Sequence, residues 1–164
     1  MNRPDPNRAS DNARPGTSRS FELAFPKEIF LAAVERLAPS RASKPGVTAL
    51  APYLEHYRAD AFTEDFLSLT TEDAATLALD LWEFNIANQE SDARVIRVRP
   101  ALAANGKPLR FDVAEIVGPD LAFLVDSAIN ACQEARVEIR AVLHPVMPGP
   151  HGKRSLIQIH LPQM

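Results

Sequence analysis

The sequence predicts an α+β protein: an N-terminal helical segment followed by a partial antiparallel sheet with one packed helix. Two observations carry this. Apolar residues recur at helical spacing up to about residue 90, and near Ala93 the period changes to two. One helical stripe then interrupts the strands, set off by the turn signals Asn105-Gly106 and Gly118-Pro119-Asp120.

Residues 1–20 are rich in Pro, Asn, Arg, Ser and Asp and nearly free of large apolar groups, so they are expected to form a disordered tail. Residues 21–90 form the helical region. Pro26 suits a first helical position, and Ile29, Phe30, Ala33, Val34 and Leu37 follow at helical spacing. Residues 39–46 read as a loop. A second helix carries Leu50, Leu54 and Tyr57 on one face, with Pro52 near its start, and a short turn is expected after Thr63. Thr70 or Thr71 caps the next helix. Glu72 and Asp73 suit the positive end of its dipole, and Leu77, Ala78, Leu81, Trp82 and Asn85 continue it.

Residues 93–164 form the sheet. Residues 94–99 alternate Ile96 and Val98 against Arg97 and Arg99. After the Asn105-Gly106 turn, where both residues tolerate positive φ, residues 111–117 give a second strand. Asp120 is expected to cap a helix with Leu121, Leu124, Val125, Ala128, Ile129 and Cys132 on one stripe. Residues 137–146 and 155–161 give two more strands. This β-β-α-β-β order is half of a ferredoxin-like βαββαβ unit. One sheet face would be half covered and one edge open to pairing. The pattern reads as a fragment, a truncated product, or a piece that dimerises.

The 164 residues suffice for one domain or two small ones. A net charge of −3 argues against broad binding to nucleic acid or anionic membrane. No run of about 18 apolar residues is present to span a bilayer, and no apolar segment follows Arg3 and Arg8 as in a secretory signal. A cytoplasmic protein is the plain expectation. The single cysteine, Cys132, excludes an internal disulfide and a cysteine-rich zinc site.

No Rossmann fingerprint or P-loop occurs among the six glycines. Gly118 and Asp120 stand at a strand-to-helix junction, where backbone N–H groups can hold an anion. A tight turn with a cap is the preferred reading, because Asp120 would repel an anion there. Asp126 and Ser127 are adjacent on a helix and diverge by about 100°. They read as an exposed face meeting another domain rather than a catalytic pair. Cys132 continues the apolar stripe and reads as a small buried hydrophobe. His144 and His160 fall on strands, opposite the main apolar set, and could share a face with His151; solvated histidines are preferred over a metal site. Arg97 and Arg99 project to one side of a strand. They suit a carboxylate ligand or the acidic groups of another domain, and a charge-protected edge strand is the plainer alternative.

Residues 113–127, VAEIVGPDLAFLVDS, resemble a motif of the large bacterial NAD-specific glutamate dehydrogenases. In that family a strand ending Glu-Ile-Val leads through Asn-Asp-Asp to a helix opening Pro-Phe-Leu-Val-Asp-Ser. A later strand ends His-Pro-Val, here His144-Pro145-Val146, and the upstream Leu81-Trp82-Glu83-Phe84 is also similar. The likeness runs from about Leu50 to the end. Gly118 and Pro119 stand in place of the Asn and first Asp, and Ala122 in place of the Pro. The resemblance implies an ACT-like, non-catalytic regulatory or structural module. Its partners would be the remaining domains of a parent dehydrogenase or a second copy, with an amino-acid effector as a candidate ligand. It further implies that the parent binds NAD and deaminates L-glutamate, while this chain holds no cofactor. A free-standing ACT-like sensing or dimerisation module is the alternative.

Overall fold

Pro26 fixes an extended backbone (φ −51°, ψ 139°) just ahead of α1, Lys27–Leu37, and its carbonyl accepts the Phe30 N–H at 2.9 Å. The computed structural model describes residues 25–40, 47–60 and 68–164. The expected tail at 1–20, most of the loop at 39–46 and the turn after Thr63 lie outside them. Phe30, Ala33 and Val34 are the buried positions of α1, and a 3-10 turn, Ala38–Ser40, follows it. Helix α2, Val47–Asp60, contains Pro52 and buries Tyr53 as well as the expected Leu54 and Tyr57.

Thr70 caps α3, Thr71–Ala87: its hydroxyl accepts the Asp73 N–H at 3.1 Å, and Glu72 and Asp73 occupy the positive end of the dipole. Ala74, Ala75, Leu77, Ala78, Leu79, Leu81 and Trp82 are all buried. A helix apolar on nearly every side must be surrounded, and α3 lies between the other helices and the sheet.

The strands are β1 (Val95–Leu102), β2 (Pro108–Pro119), β3 (Ala141–Leu143), β4 (Val146–Gly149) and β5 (Gly152–Pro162). All pairings are antiparallel in the order β1-β2-β5-β3, with β4 also on β5. Helix α4, Leu124–Glu134, crosses from β2 to β3. Those two strands run the same way with β5 between them, which is a split β-α-β unit. Gly106 (φ 80°) closes the first hairpin, with Ala103 N–H bonded to the Lys107 carbonyl at 2.8 Å.

Two elements differ from expectation. The single strand expected at 137–146 is two short strands broken at His144-Pro145, since Pro145 has no N–H to give a ladder. Val137 and Ile139 precede them and pack in the cluster under α4. The helix expected from Asp120 begins instead at Leu124. Phe123 holds a left-handed conformation (φ 62°) and interrupts the turn. Asp120 does not cap: its N–H continues the sheet by bonding the Lys153 carbonyl at 2.9 Å.

The helical region packs on the sheet. Phe25, Phe30, Tyr53, Tyr57 and Trp82 share one cluster with Val117, Leu143, Met147 and Leu156. That side is the inner face. On the outer face, Leu124, Val125, Ala128 and Cys132 of α4 meet Ile116, Ile157, Ile159 and Leu161.

Candidate functional site

Alternation places Arg97, Arg99, Glu115, Gln158 and His160 on the inner face, where the register aligns Arg97 with Glu115 and Glu115 with Gln158. Glu115 is fully buried. A carboxylate there needs compensating donors, and the neighbouring strands provide them. Arg97 Nε lies 2.5 Å from one Glu115 oxygen; Arg99 Nε donates to the same oxygen at 3.1 Å and Nη2 to the other at 3.0 Å. Gln158 Nε2 donates to Glu115 at 2.9 Å and to the Leu77 carbonyl at 3.2 Å.

Helices complete this row. Asp80 of α3 accepts from Arg99 at 2.8 Å, and its carbonyl accepts from Arg97 at 3.1 Å. The Arg97 guanidinium lies 4.1 Å over the Phe84 ring. Tyr57 of α2 donates to Gln158 Oε1 at 2.9 Å. Burial works against the Arg99 charge, but the hydrogen bonds and charges of Glu115 and Asp80 outweigh it and raise its pKa. Burial pushes the Tyr57 phenol up, and Glu115 adds to the shift. Above the row a groove of about 410 Å³ opens between α3 and β1, lined by Asp80, Glu83, Phe84, Ala87, Arg97, Arg99 and Leu102.

His160 corrects the sequence reading. It is 2% exposed rather than solvated, stacked on Phe111 at 4.8 Å between centroids. Burial lowers its pKa to about 3, so it is neutral at ordinary pH. Arg154, not singled out from the sequence, donates to Asn85 Oδ1 at 3.0 Å and to the Asn88 and Ser91 carbonyls at 3.1 Å. It thereby closes the C-terminal end of α3. Burial lowers its pKa, against the opposing charges of Asp92 and Glu90.

On the outer face, Gly118, Asp120 and His144 converge on Ser155, which is fully buried and pairs with Gly118 in the β2–β5 register. Ser155 Oγ donates to Asp120 Oδ1 at 2.6 Å and lies 2.9 Å from His144 Nε2. The hydroxyl has one proton, and it goes to the carboxylate. His144 Nε2–H therefore donates to the serine, the reverse of the proton flow that activates a nucleophile. The three side chains tie the β2 exit to the break between β3 and β4. Gly118 has no room for a side chain: an added Cβ would meet Arg94 Cγ at 2.7 Å. Asp126 and Ser127 are exposed on the first turn of α4 and do not join this cluster. Among the described residues, no group of three or more His, Cys, Asp and Glu converges as a metal site.

Glu115 carried a legible signal, a carboxylate on the same strand face as Val113 and Val117. Gln158 and Ser155 did not, because their roles depend on which strands become neighbours.

Comparison with protein families matches residues 53–158 to the family described as glutamate dehydrogenase, ACT1 domain. No curated protein and no solved structure matches the chain. The family match opens at Tyr53 on α2 and closes at Gln158 on β5, so it takes in both the helices and the sheet joined by the Glu115 row. With more than half of its 164 residues in that match, the chain belongs to the glutamate dehydrogenase ACT1-domain family.

Proposed function

We propose that this protein is a non-catalytic regulatory or structural module of an NAD-dependent glutamate dehydrogenase. The parent reaction is the conversion of L-glutamate, NAD and water to 2-oxoglutarate, ammonia and NADH. NAD is bound elsewhere in the parent enzyme, and the module acts in the cytoplasm. No helix among the described residues is long and apolar enough to cross a membrane.

The observation that carries this reading is the family match across 53–158. The local chemistry agrees with it. Arg97 and Arg99 face Glu115 and Asp80 of their own chain, and Ser155 gives its proton to Asp120, so these groups hold elements together. Exposed Asp126 and Ser127 on α4 are proposed as contacts to a neighbouring domain, and an amino-acid effector as the ligand class that such a module senses.

A second reading, a free-standing sensing or dimerisation module, is favoured by the edge strand β1, which among the described residues pairs only with β2. An open edge is a template for a second chain.

The test is an assay of glutamate-dependent NAD reduction. Native polypeptide captured with an antibody against residues 68–164 should reduce NAD, whereas the purified 164-residue chain should not. Activity in the purified chain, or none in the captured material, would reject the proposal. A stable dimer of the purified chain in light scattering, together with inactive captured material, would favour the second reading.

A further inference from the structure

The outer face of the sheet is covered unevenly. Helix α4 lies over β5, β3 and the Ala114–Ile116 side of β2. On β1, Ile96 and Val98 point to the same face and are 65% and 52% exposed. The apolar stripe of α4 is itself only half-buried: no residue of that helix is fully covered. An apolar strip thus runs beside a helix that has no other helix next to it among the described residues.

We propose that this strip is the docking surface for one amphipathic helix of the parent dehydrogenase, from outside residues 25–164, with carboxylates beside its apolar stripe. The inference rests on the functional reading above and assigns it a contact surface.

Size argues for a helix. A helix about 10 Å across covers about two strands spaced about 4.8 Å apart. Four strand positions therefore take two helices, and α4 supplies one. Along β1 the outward residues Ile96, Val98 and Pro100 recur about every 6.8 Å, and the about 13.6 Å from first to last is a length that about nine helical residues span. Charge argues for carboxylates. Arg94 is exposed at one end, with its side chain beside Gly118, and alternation with Asp112 puts exposed Arg110 on this face towards the other end. Asp112, on the same face, is buried and accepts the Met164 N–H at 2.9 Å.

A second copy fits less well. Pairing edge to edge along β1 would set Arg97 and Arg99 beside their own counterparts, and it would lengthen the sheet without covering Ile96 and Val98. Helices α1–α3 pack on the inner face and α4 on the outer, so no described helix is spare for exchange.

The test replaces Val98 with the photo-crosslinking residue p-benzoylphenylalanine in the native polypeptide, with the same replacement of Asn105 in the exposed hairpin turn as a control. Position 98 should cross-link to a peptide of the dehydrogenase outside residues 25–164, with apolar residues at helical spacing and flanking carboxylates. Position 105 should not, and Ile96→Asp should abolish the product. Cross-linking to residues 25–164 of a second copy, to another protein, or to nothing would overturn the proposal. The uncross-linked band separates the two readings. Far above 18.0 kDa with no cross-link, only the docked helix is lost; near 18.0 kDa, the dehydrogenase module itself is rejected.

Discussion

Replacing Glu115 with alanine would leave the Arg97 and Arg99 guanidiniums and the Gln158 amide facing a cavity. Breaking a buried pair by removing one partner costs about 3–5 kcal/mol, so Glu115→Ala should lower stability by about that amount in chemical denaturation. A loss under about 1 kcal/mol would mean the row is solvated. His160 makes a different prediction. Its folded pKa of about 3 lies below the unfolded value of about 6.5, so between those values the unfolded chain binds the extra proton. Stability should fall as pH drops through that window, by up to about 1.4 kcal/mol per pH unit from this group. His160→Phe keeps an aromatic ring on Phe111 and should flatten the curve; an unchanged slope would show that His160 is not the source. These residues also show the limits of reading sequence alone. Alternation placed Arg97 and Arg99 on one face, but their partners sit on β2 and α3, and only the strand order makes Gln158 and His160 their neighbours.

At the scale of elements, α4 is the informative case. Its stripe was legible, but its start was not. Asp120 looks like a cap until Ser155, 35 residues later, takes its carboxylate, and Phe123 then holds a left-handed conformation that no local signal announces. At the other end Arg136 (φ 56°) ends the helix where glycine is favoured, with the Val137 N–H bonded to the Cys132 carbonyl at 2.9 Å. Arg136→Gly should therefore stabilise the protein, by about 1 kcal/mol, by relieving the left-handed strain. Thermal unfolding checks it, and a lower melting temperature would show that the arginine side chain outweighs its backbone cost. The strand expected at 137–146 is shorter than its pattern for a related reason. Its alternation is genuine, but Pro145 interrupts the ladder and Val137 and Ile139 serve the α4 cluster before the pairing begins.

At the scale of the molecule, the inner face joins helices and sheet. Trp82 of α3 is buried in the same cluster as Val117 and Leu156 of the sheet. Shared burial makes unfolding cooperative, so Trp82 fluorescence and far-ultraviolet circular dichroism should report one coincident transition. Two separated transitions would mean that the helices and the sheet unfold independently. The change of period near Ala93 marked the boundary between helix and strand, and it could not show that the two parts share a core. The family resemblance was legible because its motif residues are local in sequence. The convergence of Gly118, Asp120 and His144 on Ser155 was not, since β5 brings the last of them into place.

As a module of a glutamate dehydrogenase, as proposed, this chain would be one part of a larger polypeptide. The most direct measurement is the size of the native polypeptide in the source cell, read on a denaturing blot with an antibody against residues 68–164. A band far above 18.0 kDa is expected, co-purifying with glutamate-dependent NAD reduction. A band near 18.0 kDa without that activity would contradict the claim.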